Sequence, residues 1–257
     1  EQSHSRWDAT LPPGWLGVPI LSLEVAAEPL AGLVPGIEER LSSCRALLVS
    51  RHLQRQLPTP PDDPAAALAL YTASWECESD AFYHQLNRGL RAHDAAATRP
   101  FLPMLKLCML GLRPLPKYRG VVWRGVRANL RADYPTGERV TWWAFASASL
   151  EMKTLEDRQF CGQSGPRTLF MISTNLGFDV SPFSFFPTEA EVLLPPGLSF
   201  VVSGHCDMGH GLVVVQLQQV HSPRCLLFNL GTAGESPSDG RDDVRPKGDA
   251  PTASAVS

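Results

Sequence analysis

Residues Tyr118–Val126 read YRGVVWRGV, and at this point the character of the chain changes. From Arg119 onward the apolar groups come in short runs rich in Val, Trp, Phe and Leu: GVVWRGV, VTWWAFASASL (140–150), TLFMIS (168–173), EVLLPPG (191–197), LSFVVSG (198–204) and GLVVVQLQQV (211–220). β-Branched and aromatic residues in runs of this length, bounded by Gly and Pro, predict strands. One helix, around Thr154 to Phe160, is expected to interrupt them. Before Tyr118 the apolar spacing is helical. PFLPMLKLCMLGL (100–112) is apolar enough to be a buried helix, and Phe82, Tyr83, Leu86 and Leu90 form a stripe that begins near Ser79. Asp63 is placed as the N-cap and Pro64 as the first helical residue of the AAALALYTA segment. Upstream of the helix-excluding run PTPPDDP (58–64), Ile37, Leu41, Cys44 and Leu48 predict one more amphipathic helix. Helices first and strands afterwards indicate an α+β fold rather than alternating βαβ units.

The chain has 257 residues, enough for one sizeable core or two small ones, and 44% apolar with 19% charged residues places it among globular proteins. A formal net charge of -3 leaves no excess of cations for duplex nucleic acid, although one or two placed arginines suffice for a small anionic ligand. No apolar run reaches bilayer-spanning length, and Glu1 to Gly14 lacks the features of a secretory signal. The expected setting is therefore cytoplasmic or otherwise soluble, without a membrane partner and with secretion left open. The cysteines Cys44, Cys77, Cys108, Cys161, Cys206 and Cys225 contain no CxxC pair and read as reduced, mostly buried thiols, with secreted disulfides as the alternative. Gly231 to Ser257 has too few apolar groups to offset its ordering entropy and is expected to be a disordered tail.

Common cofactor and nucleophile signatures, GxGxxG, GxxxxGK[ST] and GxSxG, are missing. HCDMGH (His205–His210) has no standard zinc spacing and reads as a turn, so no metal is expected. There remain Arg124 in VWRG, Ser147 in FASAS, and Glu189 with Glu191 in FFPTEAEVLLPPG. Singly, each has an ordinary structural reading as a salt-bridge arginine, a tolerated serine or a solvated pair of glutamates.

Taken with their flanks they resemble the Arg-Ser-Glu class of arginine-specific mono-ADP-ribosyltransferases. The resemblance runs through YTASW at Tyr71, FYHQLNRGLR at Phe82, YRGVVWRGV at Tyr118, TWWAFASASL at Thr141, GPRTLFMIS at Gly165 and FSFFPTEAEVLLPPG at Phe183. PILSLEVAAEPL (Pro19–Leu30) looks like the leader of eukaryotic, rotifer-like members. The resemblance implies a split β-sandwich of two mixed sheets around an NAD cleft. It divides the chain into an N-terminal helical subdomain, 1–63, packed on a catalytic domain, 64–230, followed by the tail, 231–257. The family's usual Ser-Thr-Ser stands here as Ser147-Ala148-Ser149.

The implied reaction is transfer of ADP-ribose from NAD, or NADP, to arginine on an acceptor protein. Cleavage of the bond between nicotinamide and ribose builds positive charge on the sugar, which a fixed carboxylate stabilises. Glu191 takes that role, oriented by Ser147. Glu189 works on the acceptor guanidinium, and a strand beginning at about Thr188 would point both glutamates to one face. Arg124 offers a planar fork to the diphosphate or the adjacent ribose, and the bare backbone of Gly125 admits the carboxamide. Phe160 is expected to stack on the nicotinamide, with plain core as its alternative, and Phe183, Phe185 and Phe186 to dock the acceptor protein. Two other readings stay open: an NAD glycohydrolase, using the same residues with water as acceptor, and a non-catalytic interaction module of the same fold.

Overall fold

Glu38 and Glu39 in the first turn of α2 (Ile37–Leu53), and Arg51 and His52 in its last, match the sign of the helix dipole at each end. The stripe Ile37, Leu41, Cys44 and Leu48 is buried, as the spacing predicts. The computed structural model describes residues 11–57, 59–151 and 164–230. The helix expected around Thr154 to Phe160, Phe160 itself and the tail from Gly231 lie outside the described residues.

The first sequence expectation to need correction is a cap. In α3 (Asp63–Thr72) the N-cap is Asp62, whose carboxylate accepts from the Ala65 N–H at 2.9 Å, while Asp63 and Pro64 occupy the first helical turn. This frees Asp63 for longer-range work. Its carboxylate accepts from the Leu23 N–H of α1 (Leu23–Ala27) at 3.0 Å and from Arg45 of α2 at 2.8 Å. Arg45 also pairs with Glu24 at 2.5 Å, so one side chain joins the first three helices.

The most apolar helices lie at the centre. α3 packs on α6 (Leu102–Leu112), and Gly111 permits the approach, because a Cβ there would stand 2.6 Å from the Pro64 carbonyl oxygen. One charge is buried within α6. The Lys106 ammonium donates to the Leu230 carbonyl and stands 5.1 Å from the centre of the Trp15 ring, which ties both ends of the described chain to this helix. α4 (Phe82–Ala92) and α5 (Ala95–Thr98) complete the helical layer.

The strands are β1 (Lys117–Val126), β2 (Arg139–Trp142), β3 (Ala146–Ser149), β4 (Arg167–Asp179), β5 (Glu191–Leu194), β6 (Leu198–Asp207) and β7 (Leu212–Gln219). They pair in the order β1-β3-β5-β4-β7-β6-β2, and β1 also pairs with β4. β4 is the hinge of this network. Arg167–Ser173 runs parallel to β7, whereas Phe178 and Asp179 pair antiparallel with β5, so one long strand carries both halves of the sheet structure. The extra β1–β4 ladder closes β1, β3, β5 and β4 into a ring. At this junction Gly177 leaves room for Val192, whose methyl would lie 2.6 Å from an added Cβ. A single apolar cluster extends from Trp15 to Leu230 through helices and strands.

The run VTWWAFASASL reads as one strand but forms two. β2 pairs with β6 at one end of the network and β3 with β1 and β5 at the other. The crossing is anchored where the Phe145 N–H donates to Asn87 Oδ1 of α4 at 3.1 Å and the Phe145 ring lies 4.6 Å from that of Tyr71. β4 is also longer than TLFMIS, since β1 continues alongside it to Phe178. Asp62→Ala is expected to lower the unfolding free energy by about 1 kcal/mol, the usual worth of an N-cap, in urea titrations followed by tryptophan fluorescence.

Candidate active site

β1, β3 and β5 lie side by side, and their register sets Trp123 opposite Ser149 and Ser149 opposite Glu191. Ser147 faces Leu193, so Ser147 and Glu191 are diagonal neighbours on one face of the ladder. Their side chains meet: the Ser147 hydroxyl donates to Glu191 Oε1 at 2.5 Å. Hydroxyl-to-carboxylate bonds of this length are charge-assisted and among the stronger kinds in proteins. The guanidinium of Arg124 donates through Nη1 to the Ser147 carbonyl oxygen at 2.6 Å. Three residues read from separate strands therefore share one corner.

Ala148 accounts for the altered Ser-Ala-Ser. Strand alternation turns it away from Ser147, and it is only 5% exposed, inside the core. A hydroxyl there would face the core rather than this corner.

Arg124 is half-buried, and loss of solvent pushes its pKa below the ordinary arginine value. The fields of Tyr71, Tyr134 and Glu191 act in the opposite sense, while that of Arg91 adds to the lowering. Arg91, on the exposed side of α4, is thus a second cation whose field reaches the first.

Tyr71 supports the corner from behind. Burial and the Glu191 charge push its phenol pKa up, and its hydroxyl accepts from Asn87 Nδ2 at 2.8 Å. Asn87 thereby spends its amide on both Tyr71 and the Phe145 N–H, immediately before the serine strand. On the other side Tyr134 accepts from Trp142 Nε1 at 3.1 Å, and both rings stand edge-on to Phe170, the β4 partner of Arg124.

Gly125 pairs with Leu169 of β4. Among the described residues β3 registers with β1 only at Trp123, so at Gly125 that edge of β1 carries no strand partner.

The expectation for Glu189 needs correction. No strand begins at Thr188: Pro187–Glu189 is a single 3-10 turn, Ala190 follows with φ 47°, and β5 starts at Glu191. The left-handed residue breaks the alternation, so two-residue spacing does not set both glutamates on one strand face. Phe183 and Phe185 pack partly against the core, whereas Phe186 is 42% exposed.

In HCDMGH, β6 runs on through Asp207, and the turn is confined to Gly209, His210 and Gly211, all at positive φ. Among the described residues no cluster of three metal-ligating side chains is assembled. Cys44, Cys108 and Cys225 are buried free thiols and Cys77 and Cys206 are exposed, while Cys161 lies outside the described residues. Among the described residues no helix is long and apolar enough to cross a membrane.

As single residues Tyr71, Asn87 and Arg91 do not stand out in the sequence, although each lies in a segment quoted above. Arg91 sits one turn from Asn87 on α4, and that helical spacing is the signal that was available.

Comparison with known proteins gives concordant matches. The family model described as NAD:arginine ADP-ribosyltransferase matches residues 39–223. Ecto-ADP-ribosyltransferase 5 of Homo sapiens is 28% identical over 253 residues, covering 84% of this chain and 82% of its own. The GPI-linked NAD(P)(+)-arginine ADP-ribosyltransferase 1 of Oryctolagus cuniculus is 37% identical over 158 residues, covering 57% and 46%. Among relatives the spanned share of their own length ranges from 18% to 82%. Of solved structures, the eukaryotic mono-ADP-ribosyltransferase ART2.2 superposes with a TM-score of 0.60 at 21% identity, covering 78% of this chain and 84% of that one. A form of ART2.2 in complex with NAD matches with a TM-score of 0.52.

Asn87→Leu is expected to cost about 1–3 kcal/mol, because it strands the Phe145 N–H and the Tyr71 hydroxyl in the interior. Urea unfolding of the variant measures it.

Proposed function

This chain belongs to the NAD:arginine ADP-ribosyltransferase family, and from that premise we propose that it transfers ADP-ribose from NAD to arginine side chains of acceptor proteins, releasing nicotinamide. The observation that carries the reading is the 2.5 Å bond from Ser147 to Glu191, formed beside a cation that Ser147 itself holds through its carbonyl.

Glu191 meets the positive charge that develops on the ribose as the bond to nicotinamide lengthens. Ser147 fixes the carboxylate before the reaction, so little reorganisation remains when the charge appears. Preorganised groups of this kind contribute about 3–4 kcal/mol, or roughly a hundred- to thousand-fold in rate. Arg124 grips the diphosphate or the adjoining ribose with its planar fork, and Arg91 adds a second positive charge. The open edge of Gly125 receives the carboxamide, and Phe160 stacks on the nicotinamide ring. NADP serves as an alternative donor.

Glu189 acts on the acceptor. A guanidinium is a poor nucleophile while protonated, and a carboxylate both orients it and helps remove its proton. Its place in a turn outside β5 suits a group that meets a second substrate. Phe186 offers an exposed ring to the acceptor protein, with Phe183 and Phe185 behind it. The catalytic unit spans residues 64–230, and the helices of 1–63 brace it through Asp63, which opens α3, and through Arg51 of α2. For localisation, the human relative is named as an ecto-enzyme, and an extracellular setting is the one this likeness favours.

The test is a paired assay of nicotinamide release and of ADP-ribose transfer to agmatine. Glu191→Gln is expected to lower both by roughly a hundred-fold or more. Glu189→Gln should depress transfer far more than NAD hydrolysis. Full transfer by Glu191→Gln would refute the site, and free ADP-ribose without any transfer by the wild-type chain would mark a glycohydrolase. Separately, Arg124→Lys should weaken NAD binding by about ten-fold in calorimetry, since lysine lacks the bidentate fork.

A further inference from the structure

Arg51, in the last turn of α2, is 8% exposed. Among the described residues no carboxylate stands within ion-pair distance of it. A guanidinium in that position is costly unless its donors are met. They are met by backbone far away in sequence: Nη1 donates to the carbonyl oxygens of Ser181 at 3.2 Å and Pro182 at 2.6 Å, and Nη2 to that of Ser184 at 2.5 Å. Burial pushes the pKa of Arg51 down.

The three carbonyls belong to the turn that links β4 to the Pro187–Glu189 segment. At its base the Val180 N–H donates to the Glu191 carbonyl at 3.1 Å, which fastens the turn to β5. Within it the Ser184 N–H donates to the Val180 carbonyl at 3.1 Å, and the Phe186 N–H to the Ser184 hydroxyl at 3.0 Å. Ser184 is itself buried. The two fastenings serve different residues. Glu191 is set by the β3–β5 ladder and by Ser147, neither of which involves α2. The stretch from Phe185 to Glu189 leaves the ladder, and the contacts of Arg51 tie its root to α2.

We infer that Arg51 is a positioning residue for the acceptor side of the reaction: by gathering the carbonyls of Ser181, Pro182 and Ser184 it aims the segment that carries Phe186 and Glu189 at the incoming arginine. This rests on the reading of Glu189 as the acceptor-directed carboxylate. Arg51 touches no reacting atom and acts through the turn alone. A lysine supplies charge but not a planar fork that reaches three carbonyls at once.

The test compares wild-type chain, Arg51→Lys and Arg51→Met in three readouts: nicotinamide release without acceptor, the KM and kcat of transfer to agmatine, and hydrogen exchange of the amides from Phe183 to Phe186. Arg51→Lys retains a buried cation and keeps the comparison open where Arg51→Met fails to fold. The expected result is a rise in KM for agmatine, or a fall in transfer kcat/KM, of roughly ten- to hundred-fold beyond any change in hydrolysis, the scale of an ångström-sized misplacement. Amide exchange in the turn should quicken in parallel. Equal losses of hydrolysis and transfer would overturn the inference and leave Arg51 as a general stabiliser, and so would unchanged acceptor kinetics. Absence of transfer by the wild-type chain would instead overturn the acceptor reading, whereas normal wild-type transfer with these variant results would fault Arg51 alone.

Discussion

A serine hydroxyl and a carboxylate held at 2.5 Å on neighbouring strands require β3 and β5 to lie in one register and no other. Slippage by a single residue would turn Ser147 into the core and bring Ala148 out to meet Glu191. The rest of the structure can be understood as the means of fixing that register. β4 pairs with β5 at its far end and with β1 along its length, so β1, β3 and β5 are closed against it. The space left by Gly177 lets Val192 seat at this junction, immediately beside Glu191.

The helical layer supplies the second constraint. β3 follows a crossing from one end of the strand network to the other, and such a segment would wander without an anchor. Asn87 provides one, donating to Tyr71 and accepting from Phe145. The same helix carries Arg91, whose field reaches Arg124, so α4 both steadies the serine strand and adds positive charge to its surroundings. α2 reaches the opposite side of the site through Arg51. Two helices therefore hold two segments, the serine strand and the turn between β4 and β5.

Much of this was legible in the sequence, and the failures have physical causes. The stripe of α2 and the strand runs were readable because local periodicity reflects which face is buried. Arg124, Ser147 and Glu191 stood out through their flanks, and the register brings them together. The cap of α3 was displaced because two adjacent aspartates are equally able to accept from a helix N-terminus, and a proline is tolerated in either early position. The break after Trp142 was hidden by uninterrupted apolar residues, since the Asn87 contact that decides it is distant in sequence. Thr188 to Glu191 alternates like a strand, but the left-handed Ala190 cancels the pattern, and no residue type at that position announces it. Arg51 does not stand out in the sequence, because its partners are backbone carbonyls, which carry no signature there.

The proposed reaction requires one dinucleotide to touch Arg124 and Glu191 together. A crystal structure with a non-hydrolysable NAD analogue tests this directly. The nicotinamide ribose is expected within hydrogen-bond reach of the Glu191 carboxylate, with Arg124 on the diphosphate or the adjoining ribose. An analogue bound elsewhere, or one whose ribose lies beyond reach of Glu191 while Arg124 is engaged, would contradict it.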